Sequence, residues 1–378
     1  MARVKTSSKA SITVSFSWVF MIIVGTLFIV LAYNVVSKYQ EIEQQKYDFE
    51  LRGVLRQAFS EIGQDEGIST SSLTPLEGVF ANREVEIICE GGFSILSIDG
   101  NLDANNDYLQ NFPAFMTFID EGKISSTYLA VESFKMPFKI TNAMGIVSTK
   151  NLIVFDENSE TAVKLARKFE RGSYDSLNYV VRNFGTELAG IGTEIDGKGI
   201  TSVVFVTDSG SEGEVVDAQG IPERSYVVAF EDTPKGKGSY GFIEFFNVED
   251  LSSSPPSQSL DKYGYVDFDG SLSIQTMAVF SSPEVFDCSY DLMLSHIENV
   301  YSYYELKAQN FADSSDNLCN LDSAEQKIRY SDLKTSLEKA KSSINTGLRE
   351  NPDDVFTSIS KVSSDMSNLE NFDCVYVY

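Results

Sequence analysis

From Ile12 to Val36 the chain runs for 25 residues without a charged side chain, and nothing else in it limits the fold as strongly. A helix of that length spans a hydrocarbon core of about 30 Å with some tilt to spare. A secretory h-region is usually about 7–15 residues, so the run is long for a simple cleaved signal. Arg3, Lys5 and Lys9 precede it, Lys38 closes it, and Glu41, Glu43, Asp48 and Glu50 follow. By the positive-inside rule the short N-terminus is cytoplasmic and everything after Lys38 lies outside. Trp18 and Tyr33 stand near the two expected interfaces, where amphipathic rings are favoured. The expected topology is a single-pass plasma-membrane protein with an extracellular C-terminal domain. Residues 1–11 leave no room for a kinase, a cyclase or a response domain, so a receptor of this build must signal through a membrane partner.

The helix is expected to continue past the membrane. Residues 37–63 lack Pro and are rich in good helix formers, and Leu51, Leu55, Ala58, Phe59 and Ile62 recur at i, i+3 and i+4 spacing. Gly63 is a natural C-cap. One helix from Ile12 to Ile62 would be about 75 Å long, apolar all round in its first half and amphipathic in its second.

A short basic leader, an apolar helix that continues as an amphipathic one, and a β-rich segment after it together resemble type IV pilins. Archaeal pilin-like surface proteins with class III signal peptides are the nearest comparison. In that family a prepilin peptidase cuts after a small residue that follows a basic one. Lys9-Ala10-Ser11 supplies that pattern, so the resemblance implies cleavage between Ala10 and Ser11. Ser15 stands where many members carry Glu, five residues into the mature chain. The resemblance covers only about the first 60 residues, and a plain uncleaved signal anchor remains the other reading of the same segment.

The 378 residues are 42% hydrophobic and 12% aromatic, a globular composition. After residue 40 the chain holds all 55 of its acids but only 26 of its 30 bases. So acidic a surface repels phosphate backbones, which argues against nucleic-acid binding.

Residues 64–84 read as a linker and 85–250 as a β-rich and α/β ectodomain. Gly91-Gly92 turns a hairpin. The apolar run 151–155 and the run 200–208 are expected as buried strands. Between them, 158–172 carries both helix-end signals, and Leu177, Val180, Val181, Phe184 and Leu188 suggest a second helix, giving a small β-α-α-β unit. Two strands around 225–230 and 239–246 form a longer hairpin. Residues 251–259 are a Ser/Pro linker, and 260–286 are expected as a hairpin turned at Asp269-Gly270. Apolar stripes through Met293–Phe311, Leu333–Ile344 and Val355–Leu369 make 287–378 a helical domain. The expected class is α+β: a long N-terminal transmembrane and amphipathic helix, a β-rich ectodomain with a small α/β unit, and a C-terminal three-helix bundle or helical hairpin.

Cys89, Cys288, Cys319 and Cys374 are an even set in a segment placed outside the cell, so two disulfides are expected. A helix from Cys288 to Phe311 carries the chain about 36 Å away before Cys319 is reached. That disfavours a Cys288–Cys319 bridge, since bonded cysteines have Cα atoms within about 7 Å. The third helix of an up-down-up array returns to the same end, which selects Cys319–Cys374, and leaves Cys89–Cys288 to tie the β-rich segment to the helices.

Candidate sites are few. Asp103, Asn105 and Asp107 echo the start of a calcium loop, but Tyr108 and Ala114 replace its Gly and Glu, so a solvated turn is the plainer reading. Asp156 and Asp208 each follow an apolar strand, where α/β sheets place acidic ligands, and are the one candidate cation site; strand-end turns and a helix cap explain them as well. The lone His296 has no partner at catalytic spacing. The Gly-rich 234–241 lies between strands and reads as a hairpin loop, not a phosphate cradle. No catalytic residues, structural metal or cofactor is expected. The leading expectation is a non-enzymatic, membrane-anchored surface protein of structural, adhesive or assembly role, with a pilin-like filament subunit as one form of it. Its partners would be the lipid membrane and membrane proteins or copies of itself through the Ile12–Ile62 helix. The alternative is a ligand-binding or sensory ectodomain.

Overall fold

The structure, a computed structural model, describes residues 21–39, 72–75, 83–90, 93–98, 116–118, 122–124, 127–171, 174–217, 220–248, 262–314, 319, 321–372 and 374. The chain divides into two compact units, Met1–Asp65 and Glu66–Tyr378.

In the first unit, helix α1 (Met21–Tyr39) is long and apolar enough to cross a membrane, and none of it is buried. Its exposed side chains include Phe28, Ile29, Val30 and Leu31 on successive positions, so apolar groups face outward on every side. The Thr26 hydroxyl donates to the carbonyl of Ile22 at 2.8 Å, which satisfies a polar group within the helix itself. The expected leader site Ala10–Ser11 and the amphipathic extension over 40–63 lie outside the described residues.

The described residues of the second unit form three sheets. β1 (Ser72–Pro75), β6 (Thr127–Lys135), β7 (Lys139–Ser148) and β4 (Met116–Phe118) form one, in the order β1-β6-β7-β4. β2 (Arg83–Glu90) pairs with β3 (Phe93–Ile98) as the expected Gly91-Gly92 hairpin, and with β5 (Gly122–Ile124) on its other edge.

The third sheet is the α/β unit. Its members are β8 (Asn151–Asp156), β9 (Asn178–Arg182), β10 (Ser202–Asp208), β11 (Tyr226–Lys235), β12 (Gly238–Asn247) and β13 (Lys262–Asp267), in the order β13-β12-β11-β10-β8-β9. The four strands β9, β8, β10 and β11 are parallel, and β12 and β13 add on antiparallel. Helix α2 (Glu160–Arg171) connects β8 to β9, and α3 (Ile191–Lys198) connects β9 to β10. Alternate residues of β8 and β10 serve opposite faces: Ile153, Phe155, Val204 and Val206 meet α2, while Leu152, Val154, Val203 and Phe205 meet Ile191 and Ile195 of α3. Strands covered on both faces read as unbroken apolar runs, which is why 151–155 and 200–208 stood out in the sequence.

Two expectations are corrected here. Residues 178–182 are strand β9, not helix, so the unit is β-α-β-α-β. Tyr179, Val180 and Val181 are β-formers, and pairing with Leu152–Asp156 outweighs their helical spacing. Residues 260–286 are not a hairpin: after β13 the chain turns at Asp269–Gly270 and enters α4 (Ser273–Val279). The Asp267 carboxylate accepts from the backbone N–H groups of Ser271 and Leu272, at 3.1 and 3.0 Å. Leu272 takes φ of +58°, and the chain starts a helix whose every residue is buried.

Three helices complete the unit: α5 (Pro283–Asp313), α6 (Ser323–Gly347) and α7 (Pro352–Glu370). Ser282 caps α5 and Asp322 caps α6, and Pro283 and Pro352 occupy first-turn positions where no N–H is needed. α6 packs on both α5 and α7, and α7 also lies on β12 and β13. Their apolar stripes join the same buried cluster as β6, β7, α2 and α4, so the helices do not make a core of their own. Cys319 and Cys374 are disulfide-bonded across the ends of the helical segment, as expected. Cys288 on α5 is disulfide-bonded too; its expected partner Cys89 lies on β2, whose side chains are outside the described residues.

Candidate functional site

The carboxyl ends of β8 and β10 sit side by side, with Phe155 in register with Val206, so Asp156 and Asp208 are brought together as the sequence suggested. Both are engaged in starting α2. Asp156 accepts from the Thr207 hydroxyl at 3.0 Å and from the Asn158 N–H at 3.1 Å. Asp208 accepts from the Glu160 N–H at 2.9 Å, and the Ser159 hydroxyl accepts from the Ala162 N–H at 3.0 Å. Among the described residues no group of three or more His, Cys, Asp or Glu could hold a metal ion. His296 is a structural link: its Nε2 lies 3.1 Å from the carbonyl of Ile140. The Asp103–Asp107 turn lies outside the described residues.

A cavity among the described residues lies elsewhere. A cleft of about 450 Å³ is bounded by α2, by the β11–β12 turn and by the segment from Asp267 to Leu272. α2 contributes Lys164, Arg167, Lys168 and Arg171, at i, i+3, i+4 and i+7, so a single helix face presents four cations. The hairpin adds Pro234, Gly236, Lys237, Gly238 and Ser239. Its register pairs Lys235 with Gly238, leaving the two-residue turn Gly236-Lys237, and Gly236 takes φ of +68° as the first position of such a turn requires. The hairpin expectation for 234–241 is therefore met, and the loop also walls a basic cleft.

The five cations are not equivalent. Lys168 is mostly buried: its ammonium lies 2.8 Å from Glu132 and donates to the Ser271 carbonyl at 2.8 Å and the Thr276 hydroxyl at 3.1 Å. Burial lowers its pKa, opposed by Glu132. Lys164 pairs with Glu160 at 3.0 Å and Asp232 at 3.7 Å. Arg167, Arg171 and Lys237 are exposed, and none has an ion pair or side-chain hydrogen bond among the described residues. The cleft's two carboxylates are already occupied: Asp232 accepts from Tyr265 at 2.7 Å, and Asp267 holds the turn before α4. Burial raises the Asp267 pKa to about 6, against the lowering effect of the Leu272 N–H. The open functional groups are thus two guanidinium forks and an ammonium, which bind anions and supply no nucleophile–base pair.

Sequence reasoning placed a helix over 158–172 but missed its cationic face. Its signal was present in the charge pattern, since these five cations are drawn from only 26 after residue 40 in a strongly acidic chain.

Fold and site together define a mixed α and β protein with one apolar N-terminal helix, a C-terminal helical array and a basic cleft. No protein-family model matches the chain, and neither a curated protein nor a solved structure matches it significantly.

Proposed function

We propose that this chain is a single-pass, membrane-anchored surface protein of non-enzymatic role, structural, adhesive or in assembly, with its folded unit outside the cell. The observation that carries the reading is α1: nineteen residues of unburied apolar helix between a basic leader and an acidic segment. The Cys319–Cys374 disulfide fits an oxidising exterior. In the pilin-like form of this reading, the helix packs against copies of itself or against a major filament subunit. A second reading, a ligand-binding ectodomain acting through a membrane partner, is favoured by the basic cleft.

The test is the intact mass and N-terminal sequence of the protein purified from its own membranes. A chain beginning at Ser11 supports prepilin-type processing and assembly into a filament. An intact N-terminus supports a plain anchor. A start beyond Ala32 means that the protein is secreted, and overturns the anchored reading.

A further inference from the structure

We infer that the cleft between α2 and the β11–β12 turn is a binding site for a compact polyanion bearing tetrahedral oxyanion groups, phosphoryl above all. The inference rests on the ligand-binding reading and names its ligand class.

Charge selection is the first argument. After residue 40 acids outnumber bases by about two to one, yet five cations line one cleft against two carboxylates. The acids there are committed to internal donors, and Lys164 and Lys168 to internal acceptors. What remains open is Arg167, Arg171 and Lys237, three positive charges that no described residue neutralises. Long-range repulsion from the acidic surface works against anion capture, so a site that keeps three cations unpaired gains nothing from them unless an anion occupies it.

The lining sets the ligand's character. Among the described residues that line it, Pro234 and Leu272 are the apolar side chains and none carries an aromatic ring. There is nothing for a base or a sugar face to stack on, so affinity must come from charge-assisted hydrogen bonds. Arg167 and Arg171 stand one helical turn apart, and Lys237 belongs to a different element. A carboxylate offers its lone pairs in one plane, whereas a tetrahedral group offers three oxygens in three directions. That suits two forks from one wall and an ammonium from another. Glycines at 236, 238 and 270 keep side chains out of the cleft, and a volume of about 450 Å³ accommodates more than one such group.

The experiment titrates the full-length protein, in a neutral detergent at low salt, with inorganic pyrophosphate and separately with citrate. Saturable pyrophosphate binding is expected. It should weaken about tenfold or more in R167Q/R171Q, less in K237Q, and not at all in K198Q, an exposed lysine remote from the lining. Repeating the titration in nanodiscs containing anionic phospholipid distinguishes the source. Competition assigns the site to a lipid headgroup, and unchanged binding assigns it to a free anion. Equal binding in all variants would show general electrostatics only and overturn the site. Citrate binding without pyrophosphate would overturn the tetrahedral class and leave a ligand-binding cleft. Binding of neither would end both readings.

Discussion

The ammonium of Lys168, on α2, lies 2.8 Å from the carboxylate of Glu132, on β6, and Glu132 is only 2% exposed. The pair joins the four-stranded sheet to the α/β unit. Every polar atom in it is engaged: Glu132 also accepts from Tyr174 and Ser273, and Lys168 spends its other donors on Ser271 and Thr276. Removing one member strands a buried charge, which typically costs about 3–5 kcal/mol, whereas removing both is far milder. K168M and E132Q are each expected to lower unfolding stability by about 3 kcal/mol, and K168M/E132L by less than the two losses added together. Urea unfolding followed by near-UV circular dichroism reads this directly. Additive losses would mean that the two residues do not act as a pair.

What the sequence made legible was whatever stands on long patterns. Buried runs bounded by cap signals gave β8, α2 and β10, and apolar stripes gave α5, α6 and α7. Cysteine spacing against helix length gave Cys319–Cys374. Short segments were misread for a physical reason. All five residues of β9 are half-buried, so no two-residue alternation is imprinted on Asn178–Arg182, and Val180 and Val181 fall in with the helical spacing of Leu177, Phe184 and Leu188. In α4 all seven residues are buried, which erases the amphipathic signature of a helix. The Asp269-Gly270 turn was real, but its consequence depended on Asp267 capturing two backbone N–H groups. The cleft was harder still, because Arg167 and Lys237 are seventy positions apart and only the sheet order brings their elements together.

Gly264 on β13 lies under the end of α6, with no room for a side chain. A Cβ there would fall 1.7 Å from the carbonyl oxygen of Leu348, a backbone atom that cannot swing aside. The Gly264 carbonyl also accepts the Tyr290 hydroxyl at 2.6 Å, which fixes α5 over the same strand. G264A should therefore destabilise by about 3 kcal/mol, the upper part of the range for overpacking. G213A, where nothing lies within 4 Å, should stay within about 1 kcal/mol of the parent. Paired melting curves decide it, and an unchanged midpoint in G264A would refute the close packing of β13 against α6.

Asp267 gives a pH signature. Burial raises its folded-state pKa from the usual 3.8 to about 6, with Asp269 reinforcing the rise and the Leu272 and Ser271 N–H groups and Lys168 opposing it. The folded state thus holds this proton more tightly than the unfolded state does. The stabilisation is full below about pH 4, where both states are protonated, and is lost as pH climbs through 6 and a buried carboxylate must ionise. Over that window the loss approaches about 3 kcal/mol as an upper limit. D267N cannot ionise, so its stability relative to the parent should rise between pH 4 and 7. The carboxylates common to both proteins cancel in the difference, and any fixed cost of a weakened turn shifts the curve without tilting it. Unfolding free energies of the two proteins measured across that range give the slope. A flat difference would show that the Asp267 carboxyl titrates normally, and that the turn before α4 is open to water.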